Sequence, residues 1–242
     1  MAIKYLLPLL VGLPLLGSSD GLTDQQKNQV QQLITDTIKQ KPELVIDAIM
    51  TYKKNQMAEY QKNAEANIDK YSKQIFDENN QLVLGNPKGT TTIVEFLDYN
   101  CGHCRKLSKT LKDMYSKNND LKIVIKDLPI FGESSQIAAK AAYSASKQGK
   151  YKEFHYKILN TSKPVDQNTV LEMAKSLNLD TKLFASDLDA KATQDYLSKN
   201  LELAKNMSIM ATPAMIINKN GKNVFIAGAL PEAELSKIIS QM

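Results

Sequence analysis

Cys101 and Cys104 are the only two cysteines in the 242-residue chain. They stand three positions apart in "LDYNCGHCRKL", residues 97–107. A structural disulfide between them would close a tiny loop and remove little entropy from the unfolded chain. Zinc needs about four ligands, yet the chain has no second cysteine pair and only two histidines, His103 and His155. No metal site is therefore expected. Reversible electron exchange explains the spacing better. Cys101 sits where a strand gives way to a helix, so unpaired backbone N–H groups and the positive end of the helix dipole favour its thiolate. Cys104 lies one turn later on the same face. His103 is expected to add partial positive charge and a donor near the first sulfur. An unperturbed thiol, of pKa about 8.5, is only a few per cent ionised at neutral pH. Each pKa unit of selective thiolate stabilisation favours the dithiol by about 1.4 kcal/mol, or about 30 mV toward a stronger oxidant. His155, between Phe154 and Tyr156, reads as a helix-packing residue.

The elements that must hold this pair follow from the flanking pattern. The turn cluster "NPKG", 86–89, precedes "TTTIVEFLDY", a β-branched and aromatic run that predicts a buried strand. A helix from Cys101 through Met114 and a second strand over Leu121–Ile130, stopped by Pro129, complete a strand–helix–strand unit with parallel strands. Residues 134–207 carry helical apolar spacing around Ile137, Ala141 and Ala145, around Phe154 and Ile158, and from Val170 to Leu177. "PAMIIN" and "NVFIAG" flank Asn220-Gly221, a hairpin turn signal. A last helix is expected from Pro231. The predicted order is β-α-β, a helical insertion, then β-β-α.

The chain opens with Lys4, an apolar run over Tyr5–Leu16, and small residues at 17–19. This pattern predicts a signal peptide over residues 1–19 and export to an oxidising compartment. The run is too short, and too broken by Pro8 and Pro14, to span a bilayer core needing about 20 residues. Thr23 and Gln26 predict a capping box for a short amphipathic helix. A longer helix is expected from Pro42, with Val45, Ile49, Tyr52, Met57, Tyr60, Ala64, Ile68, Tyr71 and Ile75 on one narrow stripe. That stripe must lie on the main domain or on a copy of itself. The net charge of +5 comes from lysines interleaved with acids, and Arg105 is the only arginine. Nucleic acid is therefore not an expected partner.

"VEFLDYNCGHC", followed far downstream by "ATPAMII", resembles the DsbA-like branch of the thioredoxin superfamily, bacterial periplasmic thiol:disulfide oxidoreductases. The resemblance runs from about Leu84 to the C-terminus. It implies an α/β thioredoxin fold with a helical insertion, Cys101 as nucleophile and Cys104 as the resolving thiol. It also implies that Pro213 is the family's cis-proline beside the substrate and that Thr212 tunes the site. Glu95 matches an acid buried beneath the pair, where it would accept the proton of Cys104; its alternative is an outward-facing strand glutamate. No dissociable cofactor is implied, because the Cys101–Cys104 disulfide stores the electrons.

The expected domains are a helical oligomerisation region over 20–80 and a catalytic domain over 81–242, with its insertion at about 134–207. The expected activity is forming, and reshuffling, disulfides in unfolded or misfolded secreted proteins in the periplasm. A membrane redox partner would reset the pair, and the N-terminal helices would build a homodimer or homotrimer. Two alternatives stay open: a dedicated isomerase kept reduced, and a non-catalytic holdase.

Overall fold

Thr23 opens the first helix as the sequence predicts. In a computed structural model, which describes residues 21–76 and 82–242, the Gln26 N–H donates to Thr23 Oγ1 at 3.3 Å and the Thr23 N–H donates to Gln26 Oε1 at 2.9 Å. The expected signal peptide lies outside the described residues. Helix α1 (Asp24–Gln40) buries none of its residues. Helix α2 (Glu43–Ile68) follows, and the chain divides into two compact units between Asn55 and Gln56, within this helix. In the first unit Val30, Leu33, Ile34, Ile38, Val45 and Ile49 are all exposed.

The second unit is built on a five-stranded sheet. Its strands are β1 (Leu82–Gly85), β2 (Thr91–Leu97), β3 (Leu121–Asp127), β4 (Ala214–Lys219) and β5 (Lys222–Ala227), in the order β1-β3-β2-β4-β5. β2 and β3 are parallel, with Ile93 opposite Ile123 and Glu95 opposite Ile125. The crossover between them carries α4 (Gly102–Lys117), because antiparallel strands alone can be joined by a tight turn. β4 and β5 form the hairpin that Asn220-Gly221 announces, both residues at positive φ. Strand β1 was not foreseen. Only four residues long, it pairs antiparallel with β3 at the sheet edge. Gly85 ends it at φ +76°, where a Cβ would stand 2.4 Å from the Leu121 carbonyl oxygen, so no side chain fits there.

Between β3 and β4 the insertion comprises α5 (Glu133–Lys147), α6 (Tyr151–Leu159), α7 (Gln167–Ser176), α8 (Thr181–Leu188) and α9 (Lys191–Asn206), and α10 (Glu232–Gln241) closes the chain. The periodicity marks the first three; α8 and α9 were not separated by it. β3 stops at Asp127 rather than at Ile130, and Pro231 is the extended N-cap of α10 rather than its first helical residue.

Strand residues alternate between two buried faces. Ile93, Leu97, Ile123, Ile125 and Met215 pack with Leu107 and Leu111 of α4 and with the insertion. Val94, Phe96, Val124, Ile216 and Phe225 pack with Ala64, Ile68 and Ile75, with Leu203 of α9 and with its C-cap Met207. The long apolar stripe is thereby divided. Ala64 and Ile68 are buried on the sheet and Tyr60 meets Phe225 edge-on at 5.4 Å, whereas Tyr52 and Met57 are exposed. The helix also breaks at Asp69–Tyr71 and resumes as α3 (Ser72–Phe76), with Ile75 in the core.

Candidate active site

The site begins where β2 ends. Asp98, buried, accepts hydrogen bonds from the N–H groups of Asn100 (2.7 Å), Ile130 (2.7 Å) and Phe131 (3.1 Å) and from the Ser135 hydroxyl (2.7 Å). One carboxyl thus ties the loop before α4 to the segment after β3 and to the start of α5. Sequence reasoning missed Asp98. Its signal was the Asx-turn spacing, two residues before the Asn100 amide.

Held by this loop, Cys101 becomes the N-cap of α4, with φ −76° and ψ 117°. Its sulfur accepts the Cys104 N–H at 3.4 Å, and its S–H donates to the Thr212 carbonyl at 3.2 Å. The Thr212–Pro213 peptide bond is cis. The two short sequence motifs, 111 residues apart, therefore meet at one sulfur.

The two thiols are held in opposite senses. Cys101 is lowered from 9.0 to about 5, first by the hydrogen bond from the Cys104 thiol, against its own burial, and further by the Thr212 side chain and the backbone N–H groups of Cys104 and His103. The Thr212 hydroxyl is buried and has no hydrogen-bond partner at ordinary distance and angle. Cys104 is wholly buried, and its pKa is pushed far above the ordinary thiol range by that burial, then by its hydrogen bond to Cys101 and by Glu95. Cys101 retains 5% exposure against 0% for Cys104, so of the two residues Cys101 is the one that solvent reaches.

Glu95 faces inward, not outward. It is 1% exposed, on the same strand face as Ile93 and Leu97, and neither carboxyl oxygen has a hydrogen-bond partner. Burial raises its pKa well above the usual carboxylate value, helped by Cys101 and Asp127. His103 behaves differently from the expectation: it is exposed in the first turn of α4, and among the described residues its ring makes no hydrogen bond to either sulfur. The backbone N–H of His103, not the imidazole, acts on Cys101. His155 packs as expected. It is fully buried, its Nδ1 within 3.0 Å of the Tyr99 hydroxyl and 3.2 Å of that of Tyr151, and burial lowers its pKa to about 3.

Around the cysteines, Ile130 and Phe131 after β3 and Met210 before the cis bond are exposed apolar side chains. Among the described residues no group of three or more His, Cys, Asp or Glu is placed to hold a metal ion, and no helix is long and apolar enough to cross a membrane.

Comparison with known proteins agrees with this geometry. The family profile described as thioredoxin matches residues 77–241. The chain is 30% identical to a thioredoxin-like oxidoreductase from Silicibacter pomeroyi, covering 70% of this chain and 95% of that one with a TM-score of 0.64. It is 25% identical to the thiol-disulfide exchange protein alpha-DsbA2 from Wolbachia pipientis, covering 76% and 97% with a TM-score of 0.67. ScsC of Proteus mirabilis in a transitional conformation is 25% identical, with 93% and 98% covered and a TM-score of 0.65. Among curated proteins, the chain spans 22% of the length of a sodium/proton antiporter, NhaA 3 of Salinispora tropica, at 24% identity over 144 residues. It spans 68% of disulfide bond formation protein D of Bacillus subtilis, at 28% identity over 151 residues. With its profile match over most of its length and a cysteine pair capping α4, the chain belongs to the thioredoxin family, as a DsbA- and ScsC-like thiol–disulfide oxidoreductase fold preceded by an N-terminal helical extension.

Proposed function

We propose that the chain forms disulfides in secreted proteins and reshuffles wrong ones, in the periplasm, through its Cys101–Cys104 pair. The observation that carries this is the opposed tuning of the two sulfurs: a thiol held near pKa 5 at a helix N-terminus, hydrogen-bonded to a second thiol buried beneath it.

In the oxidising direction a client thiolate attacks Cys101 of the disulfide. The client–Cys101 bond forms, and the Cys101–Cys104 bond breaks with its electron pair on Cys104. Cys104, a poor thiolate in its buried setting, takes a proton from Glu95. A second client thiolate then attacks the client sulfur of the mixed disulfide and releases Cys101 as a thiolate. The client has lost two electrons and gained a bridge, while the enzyme holds a dithiol with Cys101 ionised. Run backward, the same steps open wrong bridges. Thr212 and cis-Pro213 support the client backbone beside Cys101, and Ile130, Phe131 and Met210 give unfolded segments an apolar rim. A membrane redox partner reoxidises or rereduces the pair.

The exposed apolar residues of α1 and early α2 support self-association, as a homodimer or homotrimer, which would place more than one Cys101 around a shared client. That arrangement favours reshuffling over simple oxidation. Cys101→Ser separates this function from a holdase. The variant should lose all thiol exchange with a reduced or scrambled client; full suppression of client aggregation by the variant, together with no exchange by the intact protein, would instead favour the holdase.

A further inference from the structure

Four buried polar atoms without a hydrogen-bond partner lie in the catalytic unit between the thiols and α9: Glu95 Oε1 and Oε2, Asp127 Oδ1 and Asn200 Nδ2. Orphaned atoms of this kind are costly, and native proteins bridge them with buried water. Glu95 and Asp127 occupy the same face of adjacent parallel strands, because Glu95 stands opposite Ile125 and Asp127 is two residues further along β3. Asp127 is also among the charges that raise the Glu95 pKa, as a near neighbour does. Asp127 is the last residue of β3. There the Tyr196 hydroxyl of α9 reaches in and donates to Asp127 Oδ2 at 3.1 Å, with its ring stacked on Tyr143 at 4.2 Å. Tyr196 and Asn200, with Lys126 and Leu203, also line a cavity of about 310 Å³.

We propose that Asp127 is a positioning residue of the thiol site, forming with Tyr196 and Asn200 the water-bridged path by which the proton of Cys104 passes between Glu95 and the cavity on α9. The proposal rests on the thiol-exchange function above and adds the route that keeps it supplied with protons. When Cys104 attacks a mixed disulfide at Cys101, the Cys101–Cys104 bond forms and the other partner leaves as a thiolate with the electron pair. The Cys104 proton goes to Glu95, from Glu95 to Asp127, and from Asp127 to solvent in the cavity. Apart from Tyr196, the titratable groups that interact with Asp127 by charge are Glu95 from β2, Asp98 and Tyr99 from the loop before α4, and Tyr151 from α6. Burial raises the pKa of Asp127 to about 8, offset in part by the Tyr196 hydrogen bond and raised further by Asp98. Asp127 can therefore accept a proton from Glu95 only above that pH.

The test uses the full chain carrying a mixed disulfide at Cys101 with an aromatic disulfide probe whose released thiolate is coloured, followed by stopped flow from pH 5 to 10. The release rate should rise through an inflection near pH 8. Asp127→Asn should abolish the inflection, matching the intact protein at pH 6 and falling about tenfold behind it at pH 9. A retained inflection, or equal slowing at both pH values, would overturn the path. If that variant fails to fold, Tyr196→Phe decides: losing the donor to Asp127 should move the inflection upward, and an unmoved inflection overturns it. Failure of the probe to react at Cys101 would count against the thiol-exchange function, not against this route.

Discussion

In its protonated form the Cys101 thiol donates to the carbonyl of Thr212 at 3.2 Å. This contact joins the helix that carries the thiols to the loop before β4, on which the cis bond sits. Thr212 is thus placed to act on Cys101 twice, through its carbonyl and through its buried hydroxyl. Thr212→Val keeps the side-chain shape and removes only the hydroxyl. The pKa of Cys101 should rise by about one unit, since a single hydrogen bond to a charged group contributes about 1.5–3 kcal/mol and the remaining donors stay. Thiol titration by ultraviolet absorbance checks it.

His103→Ala should raise the Cys101 pKa by less than that, because the ring is exposed and bonds neither sulfur while the backbone N–H remains. The reduction potential, measured in a glutathione titration, should accordingly fall by less than about 30 mV.

Glu95 predicts a pH dependence of stability. Its folded pKa is raised, so the native protein keeps a proton that the unfolded chain releases above about pH 4.3. The contribution is complete below that pH and declines as pH rises toward the folded pKa. Glu95→Gln removes the titration. Thermal unfolding of the reduced proteins should show the variant gaining on the intact protein as pH increases from 4 to 8. Parallel curves would contradict the buried, ionisable Glu95.

Much of this was legible in the sequence for specific reasons. The parallel β2–α4–β3 unit and the Asn220-Gly221 hairpin follow from β-branched runs and turn residues that local physics reads directly. The cysteine pair was legible because nothing else explains two lone thiols at that spacing. Pro213 was singled out by resemblance alone, since no property of "ATPAMII" places it beside residue 101. Three features depended on tertiary context. β1 is too short to announce itself, Asp98 is meaningful only once its four donors converge, and the His103 ring is exposed and bonds neither sulfur. The stripe from Val45 to Ile75 was seen, but not that its halves differ in burial, because burial of Ala64 and Ile68 depends on the sheet face opposite them.

That division makes a stability prediction. Ile68 is 2% exposed against the sheet, so Ile68→Ala should cost about 2–5 kcal/mol in denaturant unfolding. Ile49→Ala, on the exposed half, should leave the stability of the catalytic unit within about 0.5 kcal/mol.

Deleting the residues before Gln56 removes the first unit while keeping Ala64, Ile68 and Ile75. The shortened protein should scatter light as a monomer, oxidise a reduced client at an undiminished rate, and reshuffle a scrambled one poorly. An intact protein that is itself monomeric would contradict the assembly.

The central claim is that Cys101 is an ionised electron-exchange centre in a physiological solvent. The most direct measurement is the rate of Cys101 alkylation by iodoacetamide in the reduced protein from pH 3 to 10, with the modified residue identified by mass spectrometry. The account predicts a midpoint near pH 5 with Cys104 unmodified throughout. A midpoint near the free-thiol value of about 8.5, or equal modification of both residues, would contradict it.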